Sequence, residues 1–297
     1  NACTSSALTL LPCCKTHNNV MENLAMNDIQ NASADLIVGR GVTKRYKDRR
    51  ALDSINFAVQ PGRIVGLIGP NGAGKTTLLN SLLGLQDFDG DLRVFGLDPR
   101  TSREQLMENV CFIADVAVLP RWIRTRQVID YVEGVHPRFD RAKCLRFLDQ
   151  ATIRQDMKVS EMSKGMIVQL HLALVMAIDA KLLVLDEPTL GLDILHRKQF
   201  YKRLLEDYFD EDKTILITTH QVEEVESILT DVIFIDHGKI ALQTSLDVMG
   251  ERYTQVLTSA DQVEAARALK PISEQSMPFG KSIFVFDGAD RAALATL

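Results

Sequence analysis

The chain has 297 residues, 46% apolar and 25% charged, which suits a globular protein with one large domain or two small ones. A formal net charge of -5 and a pI of about 5.7 argue against broad electrostatic capture of nucleic acid. No run approaches the roughly 18 apolar residues that cross a bilayer, so any membrane pathway the protein serves must belong to another chain.

Cys3, Cys13, Cys14, Cys111 and Cys144 have no metal-ligand spacing, and an odd, scattered set points away from a disulfide framework and toward a reducing compartment. The apolar stretch 7–14 lacks a preceding basic residue and the length of a signal core. Residues 1–35, rich in Asn, Ser and Asp toward their end, are expected to form a disordered extension, with Met21 and Met26 as candidate natural starts. A strand begins at 36–38, and a second over 51–59 closes at the turn Pro61-Gly62. The apolar run 63–68 predicts a buried strand and 77–83 has helical spacing. Residues 92–95 and 110–113 read as strands on either side of a helix over 102–109, the alternation of a parallel α/β sheet. Residues 125–180 read as mostly helical. Strands return at 182–185, 214–218 and 232–235, with helices over 194–209 and 222–229 between them. Strands at 253–258 and 282–286 and helices at 262–269 and 290–297 predict a small α+β appendage.

Gly69-Pro70-Asn71-Gly72-Ala73-Gly74-Lys75-Thr76-Thr77 fits Gly-x-x-x-x-Gly-Lys-Thr, the loop that cradles nucleotide phosphates. Glycines let successive backbone N–H groups turn inward, Lys75 adds a cation toward the β and γ phosphates, and Thr76 offers a hydroxyl to Mg²⁺. The loop lies between a predicted strand and a predicted helix, whose N-terminus also favours an anion. ATP or GTP is the expected ligand. The strand 182–185 then delivers Asp186 and Glu187 at its C-terminal end, the edge where ligands of open α/β sheets bind. Asp186 suits Mg²⁺, which prefers oxygen ligands and keeps several waters. Glu187 suits the activation of an attacking water. His220 follows the strand 214–218 on the same predicted edge. Ser163 is placed to cap a helix whose N-terminal dipole would face an anion.

With these elements in order, the chain resembles an ABC transporter ATP-binding subunit over roughly residues 36–245. Met162 to Met166 aligns with the family's Leu-Ser-Gly-Gly-Gln signature, Leu190-Gly191-Leu192-Asp193 with its D-loop, His220 with its switch histidine, and Tyr46 with the aromatic residue that stacks on adenine. The resemblance implies a phosphate-loop NTPase core of the α/β class (RecA-like), an antiparallel β subdomain and a helical insertion near 116–180. The nucleotide-binding domain is then 36–246, with 247–297 as a C-terminal accessory region. It also implies a head-to-tail dimer in which Ser163, Lys164, Gly165 and Met166 of one subunit meet the γ-phosphate held by the other.

Departures from the family pattern are specific. Met162, Lys164 and Met166 replace the usual Leu, first Gly and Gln, while Ser163 and Gly165 are retained. Asp115 stands where the family has a glutamine near Mg²⁺ and water, and is a further candidate metal ligand. The segment Leu119 to Arg126 carries the only Trp, Trp122, with Arg121, Arg124 and Arg126. In the family this neighbourhood receives a helix of the membrane subunit, and Trp and Arg anchors suit such an interface.

The resemblance thus implies an ATP-hydrolysing subunit that uses Mg²⁺ and drives transport, in the export direction, through a separate polytopic membrane chain. A second ATPase subunit, a seat on the cytoplasmic face of the membrane and no nucleic-acid partner are expected with it. The alternatives are a soluble ATPase of the same superfamily acting on ribosomes or DNA, and a nucleotide-sensing regulator that hardly hydrolyses.

Overall fold

The computed structural model describes residues 35–114, 119–190, 193–278, 281–288 and 294. The expected extension before residue 35, Asp115, Gly191, Leu192 and all but Leu294 of the helix expected at 290–297 lie outside them.

The first strands, β1 (Ile37–Tyr46) and β2 (Arg49–Val59), pair antiparallel around a turn at Lys47-Asp48. Then follow β3 (Ile64–Ile68), α1 (Lys75–Leu82), β4 (Asp89–Val94), α2 (Arg103–Met107) and β5 (Val110–Ile113). The helical part comprises α3 (Thr125–Val135), α4 (Arg141–Gln150) and α5 (Lys164–Met176). The chain returns through β6 (Leu182–Asp186), α6 (Ile194–Arg203), β7 (Thr214–Thr219), β8 (Asp231–Asp236) and β9 (Lys239–Ser245).

Two sheets result. β3 and β5 to β9 form a six-stranded sheet in the order β5-β6-β7-β3-β8-β9, and β2-β1-β4 form a separate antiparallel sheet. β3, β6 and β7 are buried at every residue, which explains the nearly unbroken apolar runs of β3 and β6, because parallel strands are covered on both faces. β4 does not continue the parallel alternation read from the sequence. From Asp91 onward its residues alternate between more exposed and buried, and it pairs antiparallel with β1, as a sheet with one solvated face requires. Apolar residues of both sheets and α1, among them Ile37, Leu52, Leu67, Leu79, Leu92 and Val184, share one core. Val128, Ile129, Cys144, Leu148, Leu170 and Leu174 make a second core inside the helical part.

Residues 222–229 do not form the expected helix. They make two short 3-10 turns, Val222–Glu224 and Glu226–Ile228. Tertiary contacts outweigh a weak local preference here: Val222 and Val225 are β-branched, and the Glu224 carboxylate is engaged by Arg197 and Thr189. α6 likewise ends earlier than expected and passes into a π-helical turn, Leu204–Tyr208. β9, which the sequence reading missed, follows β8 through His237-Gly238, both at positive φ (47 and 77), the geometry of a tight hairpin.

A second compact unit has its described residues from Thr244 onward. It contains α7 (Leu246–Arg252), β10 (Tyr253–Thr258), α8 (Val263–Ala268), β11 (Ser273–Ser276) and β12 (Ser282–Asp287). The sheet order is β10-β12-β11, all antiparallel, and Phe284, Phe286, Ala266 and Leu294 form its core. α7 and β11 were not expected. Gly250 weakens the helical pattern of the first, and Ser-Glu-Gln-Ser gives the second no apolar alternation.

Candidate nucleotide-hydrolysis site

Three neighbouring strands deliver the site from their C-terminal ends. β3 runs into the glycine loop, β6 into Asp186-Glu187 and β7 into Thr219-His220; their register sets Ile68 opposite Thr219 and Asp186 opposite Thr218. The loop enters α1 at Gly74, whose φ is +118 and where a Cβ would stand 2.6 Å from the Ala51 carbonyl oxygen. Only glycine fits there. Lys75 is buried and donates to Gly69 O at 2.7 Å, which folds its side chain back along the loop.

The acidic pair divides its contacts. Asp186 accepts from Thr218 Oγ1 at 2.5 Å through one oxygen and from Thr76 Oγ1 at 3.3 Å through the other. Glu187 lies between two basic groups: Oε1 is 3.5 Å from Lys75 Nζ, and Oε2 is 2.7 Å from His220 Nδ1. Its backbone is at φ 48, a conformation that bulky residues adopt only where their surroundings hold them. The Glu187 N–H donates to Thr218 Oγ1 at 3.0 Å, so Thr218 orients both acids. Thr218 was not singled out from sequence; its signal is a polar residue at a buried position directly across the ladder from Asp186.

Thr76 and Asp186 together offer a hydroxyl and a carboxylate in contact, the hard-oxygen donor set that fits Mg²⁺. Among the described residues no cluster of three or more His, Cys, Asp or Glu forms a closed metal cage.

Tyr46 ends β1, about half exposed, and its hydroxyl donates to Gln86 Oε1. Arg49, opposite Tyr46 in the hairpin, donates to Gly72 O at 2.7 Å. Neither Gln86 nor Arg49 carries a sequence signal, because their partners are non-local or backbone.

The signature residues lie at the start of α5. Ser163 caps the helix, its Oγ accepting from the Met166 N–H at 3.2 Å, and Ser163 and Lys164 are exposed. Asp193 caps α6 by accepting from the His196 N–H at 3.1 Å, and its other oxygen is 2.6 Å from His196 Nδ1. These contacts, the backbone N–H first, hold the Asp193 carboxyl below its usual range. His196 also links the two elements: a Cβ on Gly165 would stand 2.6 Å from His196 Nε2. Leu190, Ile194 and Leu195, with side chains large and apolar, are exposed beside Asp193. Arg197 donates to Glu224 Oε1 and to Gln221 Oε1 (2.7 Å), and Thr189 donates to Glu224 Oε2 at 3.3 Å, which ties α6 to the segments after Glu187 and His220. On the helical part, Trp122 is 71% exposed with Arg121 and Arg126 exposed around it.

The sheet edge, the glycine loop and the carboxylates define a phosphate-loop nucleotide hydrolase. Residues 52–190 match the family described as ABC transporter. The chain is 33% identical over 261 residues to the Nod factor export ATP-binding protein I of Burkholderia pseudomallei (strain 1710b), covering 82% of this chain and 84% of that one. Among solved structures, one titled as the ATP binding subunit of an ABC transporter matches with TM-score 0.64 and 23% identity over 72% of this chain and 91% of that one. A dimeric ATP-binding cassette in a post-hydrolysis state, bound to ADP and Pi, matches with TM-score 0.60 and 21% identity over 71% and 98%. The chain belongs to the ABC transporter family as an ATP-binding protein, and ATP hydrolysis is the activity of that class.

Proposed function

We propose that the chain hydrolyses Mg·ATP as one half of a head-to-tail pair and couples that cycle to transport, in the export direction, through a membrane subunit in another chain. The observation that carries this reading is the convergence of Lys75, Glu187 and His220, with Thr76 and Asp186 beside them, at one edge of the sheet. Lys75 and the loop 69–77, through the backbone N–H groups of all its residues except Pro70, bind the β and γ phosphates. Thr76 and Asp186 hold Mg²⁺, which when bound offsets negative charge on the phosphates. Glu187 accepts a proton from the water that attacks the γ-phosphate in line, the bond from the γ-phosphorus to the oxygen bridging the β-phosphate breaks to release ADP and phosphate, and His220 orients Glu187. Tyr46 carries the adenine ring.

Ser163, Lys164, Gly165 and Met166 act on the nucleotide of the opposite subunit, with Asp193 at the seam. The exposed Leu190, Ile194 and Leu195 support such a seam, since apolar side chains this large gain from being covered. Trp122 and its arginines give the membrane subunit a docking patch, which seats the protein on the cytoplasmic face of the membrane. Asp115, which stands where the family has its glutamine, is a further candidate metal ligand. Residues 36–246 act as the nucleotide-binding domain and 247–297 as an accessory region.

Affinity capture of the tagged chain from detergent-solubilised membranes tests this reading. A polytopic membrane protein co-purifies, and the purified chain turns over ATP only with a divalent cation. Recovery with ribosomes instead, or turnover indifferent to chelation, would overturn it.

A further inference from the structure

Three hydrogen bonds fasten the β1–β2 hairpin to the phosphate loop and to α1 with its following segment. Lys44 Nζ donates to Asp87 O, the Tyr46 hydroxyl to Gln86 Oε1, and Arg49 Nη2 to Gly72 O at 2.7 Å. Gln86 is itself held. Its Nε2 donates to Thr77 O at 2.6 Å and to Ser81 Oγ at 2.9 Å, and Ser81 Oγ donates to Thr77 O at 2.9 Å. With both amide hydrogens committed to the first turns of α1, the Gln86 carbonyl oxygen has a set direction, and Tyr46 meets it.

A ring that only stacks on a base has no use for a hydroxyl. Tyr46 stands at the tip of an exposed hairpin whose turn includes Lys47 at φ 51, a place where an unbraced side chain samples many rotamers. The hydroxyl is tied through Gln86 to the helix that begins at Lys75. We propose that Gln86 is a positioning residue: through the Tyr46 hydroxyl it fixes the ring at a set distance from the phosphate loop, with Arg49 as a second brace on Gly72. Base and triphosphate of one nucleotide are then bound as a single preorganised span, which lowers the ordering cost of binding. The inference rests on the reading of Tyr46 as the base platform and adds what holds that platform in register.

Calorimetric titration of the full chain with Mg·ATP and with Mg·tripolyphosphate, which has the phosphates and no base, tests it. Tyr46→Phe keeps the ring and removes the hydroxyl. Tyr46→Phe and Gln86→Leu each weaken Mg·ATP about three- to tenfold, the effect of one hydrogen bond. The double variant is no weaker than either single one, and tripolyphosphate binding does not change. Arg49→Ala, which removes a cation beside the loop as well as a brace, weakens both ligands. The proposal is overturned if Tyr46→Phe binds Mg·ATP as tightly as the unsubstituted chain, if the two losses add, if Gln86→Leu weakens both ligands equally, or if Arg49→Ala changes neither. An unsubstituted chain that binds neither ligand brings down the nucleotide reading itself, and the brace with it.

Discussion

In the proposed function the C-terminal edge of the parallel sheet and the exposed start of α5 carry two halves of one chemistry, and they are built in opposite ways. At the sheet edge every acid has a partner inside the chain: Thr218 and Thr76 hold Asp186, and Lys75 and His220 flank Glu187. At the start of α5, Ser163 and Lys164 face outward, and the neighbouring Leu190, Ile194 and Leu195 are exposed. The difference teaches that the sheet edge is preorganised by its own fold, whereas the α5 edge is left open, as the proposed pairing with a second subunit requires. Electrostatic preorganisation of the first kind lowers a barrier without reorganisation; the second kind waits for association.

The sharpest way to break this comparison is to disable the first edge alone. Glu187→Gln keeps the size of the side chain but removes the base, so turnover falls by about a hundredfold or more while Mg·ATP still binds. Because hydrolysis no longer releases the pair, ATP-dependent dimers accumulate in sedimentation velocity. Normal turnover in this variant, or a strict monomer with ATP bound, would show that the carboxylate between Lys75 and His220 is not the group that activates water.

The second prediction separates the edges by mixing. Lys75→Ala removes the cation of the phosphate loop, and Ser163→Ala removes the hydroxyl at α5; each alone is expected to hydrolyse ATP only weakly. In a mixed dimer one composite site carries both lesions and the other carries neither, so combining the two variants restores turnover that neither shows alone. If the edges served the same nucleotide within one chain, no mixture would recover. Ser163→Ala also uncaps α5 at a cost of about 1 kcal/mol, which a melting curve reads separately from turnover.

How much of this contrast was legible beforehand follows from how local each feature is. The glycine loop, Asp186-Glu187 and the strands behind them are contiguous in sequence, and burial on both faces writes itself as apolar runs such as Leu182 to Leu185. The α5 cap was legible as Ser163 before a helical run. Thr218 escaped notice because its role depends on lying across from Asp186, and register is not visible in one strand. Gln86, Arg49 and the bond from Arg197 to Glu224 escaped because each partner is distant in sequence or is a backbone carbonyl. The false helix over 222–229 has the same origin: the pull of Arg197 and Thr189 on Glu224 is absent from any local window.

The smallest expected effect tests the join between the signature and the D-loop, where the sequence gives only a retained glycine. Gly165 lies against the ring of His196, and that ring is held by Asp193 at 2.6 Å, so a methyl group at 165 must displace it. His196 is about two-fifths exposed and can turn toward solvent, which limits the penalty. Gly165→Ala is therefore expected to cost about 1 kcal/mol in chemical denaturation, at the low end for an overpacked contact. His196→Ala opens the space, so the double variant should be less destabilised than the sum of the singles. Strict additivity would mean that Gly165 is needed for its own backbone, and that α5 and α6 meet there without any constraint between the helix that offers Ser163 and the helix that Asp193 begins.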